Sequence, residues 1–262
     1  MKKSLIALAL VSAFAAPAFA EEAAPAAAPS LTGNIALTSN YVFRGISQSQ
    51  NKPALQGGFD YAHSSGLYVG TWASNIGWVN TKDNSSLEWD FYAGYKGTFA
   101  DDFSYDLGVL KYYYTGDSNG NSLTPDTTEV YAAIGWKFIT LKYNYSVSKY
   151  LFAWGDQRGN GGTNRGSGYL DLSSNYDLGN CWGVYAHVGH QDVKNYSNAS
   201  YTDWKLGVTK DFSGWVIGAA YVGTDAKGGT VGVQPYRFTK QPGTYSYDSG
   251  KDTIVVSVSR TF

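Results

Sequence analysis

The sequence predicts an all-β fold, a transmembrane antiparallel β-barrel of the outer membrane with about twelve strands. Three observations carry that expectation. The N-terminus reads as an export signal, the rest alternates residue by residue between apolar and polar, and the connections alternate between short and long.

The signal comes first. Lys2 and Lys3 give a positive start, and Leu5 to Ala16 is an apolar run of h-region size, too short to cross a bilayer as a helix. Ala18-Phe19-Ala20 is an A-x-A cleavage pattern, so residues 1–20 form the expected signal peptide, cut after Ala20. Residues 21–30 (EEAAPAAAPS) carry only alanine to bury and two prolines that oppose helix, which makes them a flexible leader. Residues 31–262 form the barrel, read as one domain because no later composition break divides them.

Strand alternation is clearest at 87–97. There Leu87, Trp89, Phe91, Ala93 and Tyr95 alternate with Glu88, Asp90, Tyr92, Gly94 and Lys96. Segments of this kind fall at 32–44, 54–63, 66–75, 86–97, 102–114, 128–138, 139–148, 166–177, 181–191, 200–210, 214–223 and 251–262. Each is long enough for a tilted crossing, which takes about 9–11 residues, and their number is even, as single-chain bacterial barrels require. The boundary at Phe138-Ile139 lacks any Gly, Pro or Asn to mark a turn.

The connections add an independent signal. Those after even-numbered strands are short: His63-Ser64-Ser65, Gly97 to Asp102, the 138–139 junction, Leu178 to Asn180, and Asp211 to Ser213. Those after odd-numbered strands are longer and polar, such as GISQSQNKP from Gly45 and TGDSNGNSLTPD from Thr115. Short periplasmic turns and long external loops alternate in this way in outer-membrane barrels.

Parity then assigns the faces. The apolar set belongs to lipid, and the other set to a lumen that includes Lys137, Asp171, Asp203 and Lys205. Arg44, Asp60, Glu88, Asp90, Lys96, Asp106, Glu129 and Lys142 are the candidate lumen or constriction residues. In a dry core each unpaired ion would cost several kcal/mol, so this set suits a wet or salt-bridged interior. Arg44 is placed at the external end of the first strand, where a salt bridge to Asp60 or Glu88 is the favoured role. Trp72, Trp78, Trp89, Trp136, Trp182, Trp204 and Trp215 are expected outside as interfacial girdles. Tyr92, Tyr112, Tyr131, Tyr169 and Tyr185 are expected inside, stacking with solutes or plugging a narrow barrel.

Composition excludes other classes. Removing Lys2 and Lys3 leaves 18 basic residues against 21 acidic, a net charge near −3, which is no nucleic-acid balance. Cys181 is the only cysteine, so no internal disulfide forms. His63, His187 and His190 are too scattered for a zinc site, and no cofactor is implied. His63 and Ser65 share the spacing of a few outer-membrane lipid deacylases, but the topology puts them in a periplasmic turn, so no enzyme is expected. Asp83, Asp117, Asp126 and Asp156 in external loops are possible Ca²⁺ or lipopolysaccharide contacts.

The string SNYVFRGISQS at 39–49, followed by PALQGGFDY at 53–61, GLYVGTWASN at 66–75 and a closing IVVSVSRTF, resembles the TorF-like porin family, the Gcw_chp conserved hypothetical outer-membrane proteins. The likeness covers most of the mature chain, most specifically its first quarter. It implies an outer-membrane barrel and a porin-like role. A terminal Phe262 after an alternating strand, with Ile254, Val256 and Val258 on its parity, looks like the signal read by barrel-assembly machinery. Arg260 interrupts that apolar parity and is expected to snorkel toward headgroups.

The expected function is therefore passive diffusion of small hydrophilic solutes through an outer-membrane pore of a Gram-negative cell. The alternatives are a closed barrel with a structural or loop-mediated binding role, and more remotely an outer-membrane hydrolase. The long stretch from Gly223 to Gly250, with Tyr236, Arg237, Phe238 and Tyr245, either folds inward as a constriction or stands outside as a lid.

Overall fold

The structure is a computed structural model that describes residues 29–79, 85–100, 102–116, 124–154, 162–229, 235–239 and 246–262. The signal at 1–20, the leader up to 28, Asp83, Asp117, Asp156 and Tyr245 lie outside the described residues.

Twelve strands make one closed barrel: β1 (Ser30–Thr38), β2 (Ala54–Ala62), β3 (Leu67–Asn75), β4 (Leu87–Ala100), β5 (Phe103–Tyr114), β6 (Thr127–Trp136), β7 (Ile139–Ser146), β8 (Gly168–Gly179), β9 (Trp182–Asp192), β10 (Tyr201–Phe212), β11 (Trp215–Thr224) and β12 (Thr253–Thr261). Each pairs antiparallel with its neighbour in sequence, and β1 pairs with β12 to close the ring. Closure leaves no sheet edge to pair in lipid. At the seam Gly33 N–H donates to Phe262 O at 2.7 Å and Phe262 N–H returns to Gly33 O at 2.9 Å. The Phe262 ring fills the space where a Cβ on Gly33 would stand, 2.9 Å from its Cε2. Removing Phe262 should therefore lower the yield of refolded, heat-modifiable barrel severalfold, read as a gel-mobility shift in vitro, where no assembly machinery is present.

Positive φ angles make the tight turns. Asn180 and Cys181, at φ 53° and 65°, form a two-residue turn of the primed kind that suits twisted hairpins, and Ser213-Gly214 forms another at 57° and 90°. Cys181 thus lies in a turn rather than at the start of a strand. The junction without a turn signal is Lys137-Phe138, where Lys137 takes φ 52°. Hence β6 stops at Trp136, two residues before the expected end. Lys137 is in this turn, half exposed and 3.6 Å from Asp102, and so does not line the lumen.

The outer face is apolar and exposed, as Leu37, Phe59, Val69, Phe91, Ile134 and Leu206 show. Trp136, Trp182 and Trp215 ring the short-turn rim, and Trp89 and Trp204 stand toward the long-loop rim. Lys137, Lys210 and Arg260 lie 5.2, 4.8 and 5.2 Å from the ring centroids of Trp136, Trp182 and Trp215. Each cation covers an apolar ring while its head reaches the interface. Trp72 and Trp78 do not join these girdles. Trp72 is buried on the inner face, and Trp78 packs against the internal aromatic cluster.

Tyrosines fill much of the interior. Tyr92, Tyr112, Tyr131 and Tyr169 are buried inside, and Tyr185 packs against an inner apolar cluster. Tyr169 lies over Gly189 and Tyr68 over Gly94, where an added Cβ would come within 2.0 and 2.3 Å of the ring hydroxyl. Only glycine permits so close an approach.

Candidate functional site

The lumen is crossed by a hairpin that the alternation did not separate from the first strand. β1 ends at Thr38, and residues 39–53 turn into the barrel. Val42–Phe43 pairs with Ile46–Ser47, and Arg44-Gly45 forms the tip at φ 47° and 76°. These angles again define a primed two-residue turn. The ISQSQN stretch supplies the stitching at the base. Tyr41 N–H donates to Ser49 Oγ at 2.9 Å, and Ser47 Oγ donates to Asn40 Oδ1 at 2.7 Å. Gln48 N–H closes back on Tyr41 O at 2.7 Å.

Arg44 is therefore inside the barrel, but from a hairpin and not from a strand. Its guanidinium donates to Glu129 Oε1 at 3.0 Å and Oε2 at 2.7 Å, a bidentate pair, and to Gln191 Oε1 at 2.8 Å. Glu129 on β6, rather than Asp60 or Glu88, is the partner. The rings of Phe43 and Tyr169 flank the guanidinium, with centroids 4.7 and 4.3 Å away. Burial opposes the charge on Arg44, but Glu129 outweighs it and holds the arginine pKa above its ordinary value. Tyr41 anchors the hairpin's other side, donating to Glu88 Oε1 at 2.7 Å and meeting Trp72 edge to face at 5.4 Å.

Toward the short-turn rim the wall carries mixed charge. Asp106 accepts from Tyr68 at 2.7 Å, and Asp60 accepts from Tyr92. Lys142 stands 3.9 Å over the Tyr131 ring, and Lys96, exposed, 5.5 Å over Tyr68. Glu88, Asp90, Asp106 and Glu129 are almost fully buried. Neither side-chain oxygen of Asp90 has a hydrogen-bond partner among the described residues. The eight expected lumen residues thus all lie on the inner side. Arg44 and Glu129 meet directly, and the other six are shared among neighbouring strands.

His187 is inward, as parity expects. Its Nδ1 is 2.7 Å from Asp171 Oδ2, and its Nε2 is 3.1 Å from Asp203 Oδ2. Both ring nitrogens thus face carboxylates, one on β8 and one on β10. His63 Nδ1 and Ser65 Oγ are 2.9 Å apart in an exposed turn. Ser65 N–H also donates to that nitrogen at 3.1 Å, a turn-stabilising contact. Asp126 accepts from Tyr114 N–H at 2.9 Å.

The stretch from Gly223 to Gly250 contributes to the closure. Tyr236 is buried against Tyr201 and donates to Ala199 O, while Phe238 packs on Trp78. Ser47 N–H of the hairpin donates to Ser249 O at 2.7 Å. The described part of this stretch thus packs on the hairpin and on neighbouring loop residues at the long-loop end. Sequence reasoning missed the hairpin, Tyr41, Tyr114, Tyr201 and Gln191. A Gly45 that ends the expected strand and a serine-rich run after it were the available signals.

Comparison with known proteins agrees with this architecture. A family model described as "Bacterial protein of unknown function (Gcw_chp)" matches residues 22–262. Its description names no activity and carries no TorF-like designation. A search of curated proteins found no match. Among solved structures, a KdgM porin is similar at TM-score 0.52 and 8% identity, over 88% of this chain and 99% of that one. The same porin in complex with disordered oligogalacturonate gives 0.50 and 8%, over 89% and 99%. OprD from Pseudomonas aeruginosa gives only 0.39 at 12%, over 80% and 59%, too slight a likeness to weigh. At these identities the likeness to KdgM is one of fold.

Proposed function

The chain belongs to the Gcw_chp family, and from its barrel we propose that it is an outer-membrane channel for small hydrophilic solutes. The observation that supports this reading most is the inner face. Acids, lysines and tyrosine hydroxyls line it on successive strands, where a purely structural core would be apolar. The inserted hairpin sets the constriction, with Arg44 and Glu129 as its charged pair. The reading includes export through the cleaved signal of residues 1–20 in a Gram-negative cell, recognition of the Phe262 strand by barrel-assembly machinery, and lipopolysaccharide around the long-loop rim. It requires no bond-making chemistry and no cofactor.

A second reading, a closed barrel acting through its external loops, has its own support in the locked Arg44–Glu129 pair and the crowded aromatic mouth. Single-channel recording of the refolded protein in planar bilayers, with sugar-driven liposome swelling alongside, separates the two. Discrete conductance steps with sugar entry are expected. Silence from a barrel shown to be folded would overturn the channel reading in favour of the closed one.

A further inference from the structure

The three cations that stand over indole rings at the short-turn rim are not alike. Lys137, over Trp136, has Asp102 3.6 Å away. Lys210, over Trp182, donates one hydrogen to Asn180 O at 2.6 Å and has no acidic partner among the described residues. Arg260, over Trp215, has neither a hydrogen bond nor an ion pair among the described residues.

The register explains the difference. The acids near Lys210 and Arg260 lie on the inner parity, Asp211 opposite buried Val216 and Asp177 opposite Gly183. Both close turns, accepting from Gly214 N–H and Gly179 N–H at 2.7 Å each. The two cations are on the outer parity. Lys210 lies between Trp182 and Ile217, and Arg260 between Trp215 and Ile35 of β1, beside the seam that closes the ring. They are two strands and one outward row apart, which sets their Cα atoms about 12 Å from each other. An apolar, lipid-facing wall thus carries two cations with no acid on the same face.

We propose that this face of β9–β12 is a docking site for an anionic phospholipid of the periplasmic leaflet. The Arg260 guanidinium, held flat on Trp215, presents an N–H fork that matches the oxygens of a phosphodiester. Lys210 adds charge from the side, and the acyl chains lie along exposed Ile217 and Ile35. An ethanolamine headgroup offers the same phosphate but brings an ammonium that both cations repel, whereas a glycerol headgroup brings none. The proposal rests on the outer-membrane placement of the short turns at the periplasmic side, and it is independent of whether the barrel conducts.

The test is native mass spectrometry of the refolded barrel released from detergent micelles, titrated with phosphatidylglycerol or phosphatidylethanolamine of identical acyl chains. The glycerol lipid is expected to stay bound at a concentration at least about fivefold lower, the effect of one basic residue near a charged membrane surface. Arg260→Gln with Lys210→Gln should bring the two lipids to parity. Lys137→Gln, whose lysine already faces Asp102, should keep the preference. Equal retention of both lipids by the parent would overturn the proposal, and that comparison needs no variant to fold. So would a double variant of parental heat-modifiability that keeps the preference. An equal loss in Lys137→Gln would also overturn it, because the rim would then be attracting anions by diffuse charge alone.

Discussion

Arg44→Ala should raise single-channel conductance above the parent's and shift the reversal potential in a salt gradient toward cation preference. The guanidinium makes three hydrogen bonds inside the barrel, two of them to Glu129. Without it, among the described residues, the Tyr112 hydroxyl at 3.3 Å is the hydrogen bond left to the Glu129 carboxylate, which is 1% exposed. A buried carboxylate stripped of its partner costs about 3–5 kcal/mol. The cheapest relief is for the hairpin to withdraw and let water reach Glu129. What then lines the constriction is Glu88, Asp90 and Glu129, an acidic wall without its nearest cation. An apolar pair, Arg44→Met with Glu129→Leu, should restore the parental conductance, because replacing both partners removes the unpaired charge. Unchanged conductance in the alanine variant would show that the ion pair does not seat the hairpin.

Gly45→Ala should expose the hairpin to protease without unfolding the wall. Gly45 sits at φ 76°, and an added Cβ would stand 2.6 Å from Asp203 Cβ and 3.1 Å from Thr224 Cβ. Those atoms belong to β10 and β11 and cannot step aside. The left-handed conformation adds roughly 1–2 kcal/mol for a residue with a side chain. Since about 1.4 kcal/mol is tenfold in an equilibrium, tryptic cleavage after Arg44 should accelerate at least tenfold. Heat-modifiability should stay parental. Cleavage at the parental rate would mean that the tip tolerates the methyl and is not lodged against β10.

Much of this architecture was legible in the sequence, for a definite reason. A barrel wall has two solvents, lipid and lumen, so every strand repeats the same period-2 contrast and the signal accumulates over the chain. The alternation of loop lengths then set the topology. The hairpin escaped because Tyr41 to Ser47 also reads as strand. Its alternation is real, but it belongs to a hairpin buried on both faces. Trp72 was misplaced because an aromatic reads as lipid-facing, although it shares parity with Tyr68, Gly70 and Ser74. The identity of Arg44's partner was beyond reach. Glu129 lies 85 residues away, and only the closed ring brings the two together.

The hairpin enters and leaves the lumen at a single point, because Thr38 and Ala54, which flank it, are register partners on β1 and β2. It interrupts no pairing between β1 and β2, and what ties it in is Ser39 against Val256 of β12, Gly77 N–H on Gln48 O and Ser47 N–H on Ser249 O. Filling and wall are therefore expected to loosen as separate units, because the filling is held by side-chain and loop contacts and the wall by its strand ladder. A single melting temperature would then describe neither, and hydrogen exchange should open residues 40–50 before the strands. Substitutions within 39–53, or in the few wall residues that grip it, can retune how full the barrel is without touching the strands on which its assembly depends.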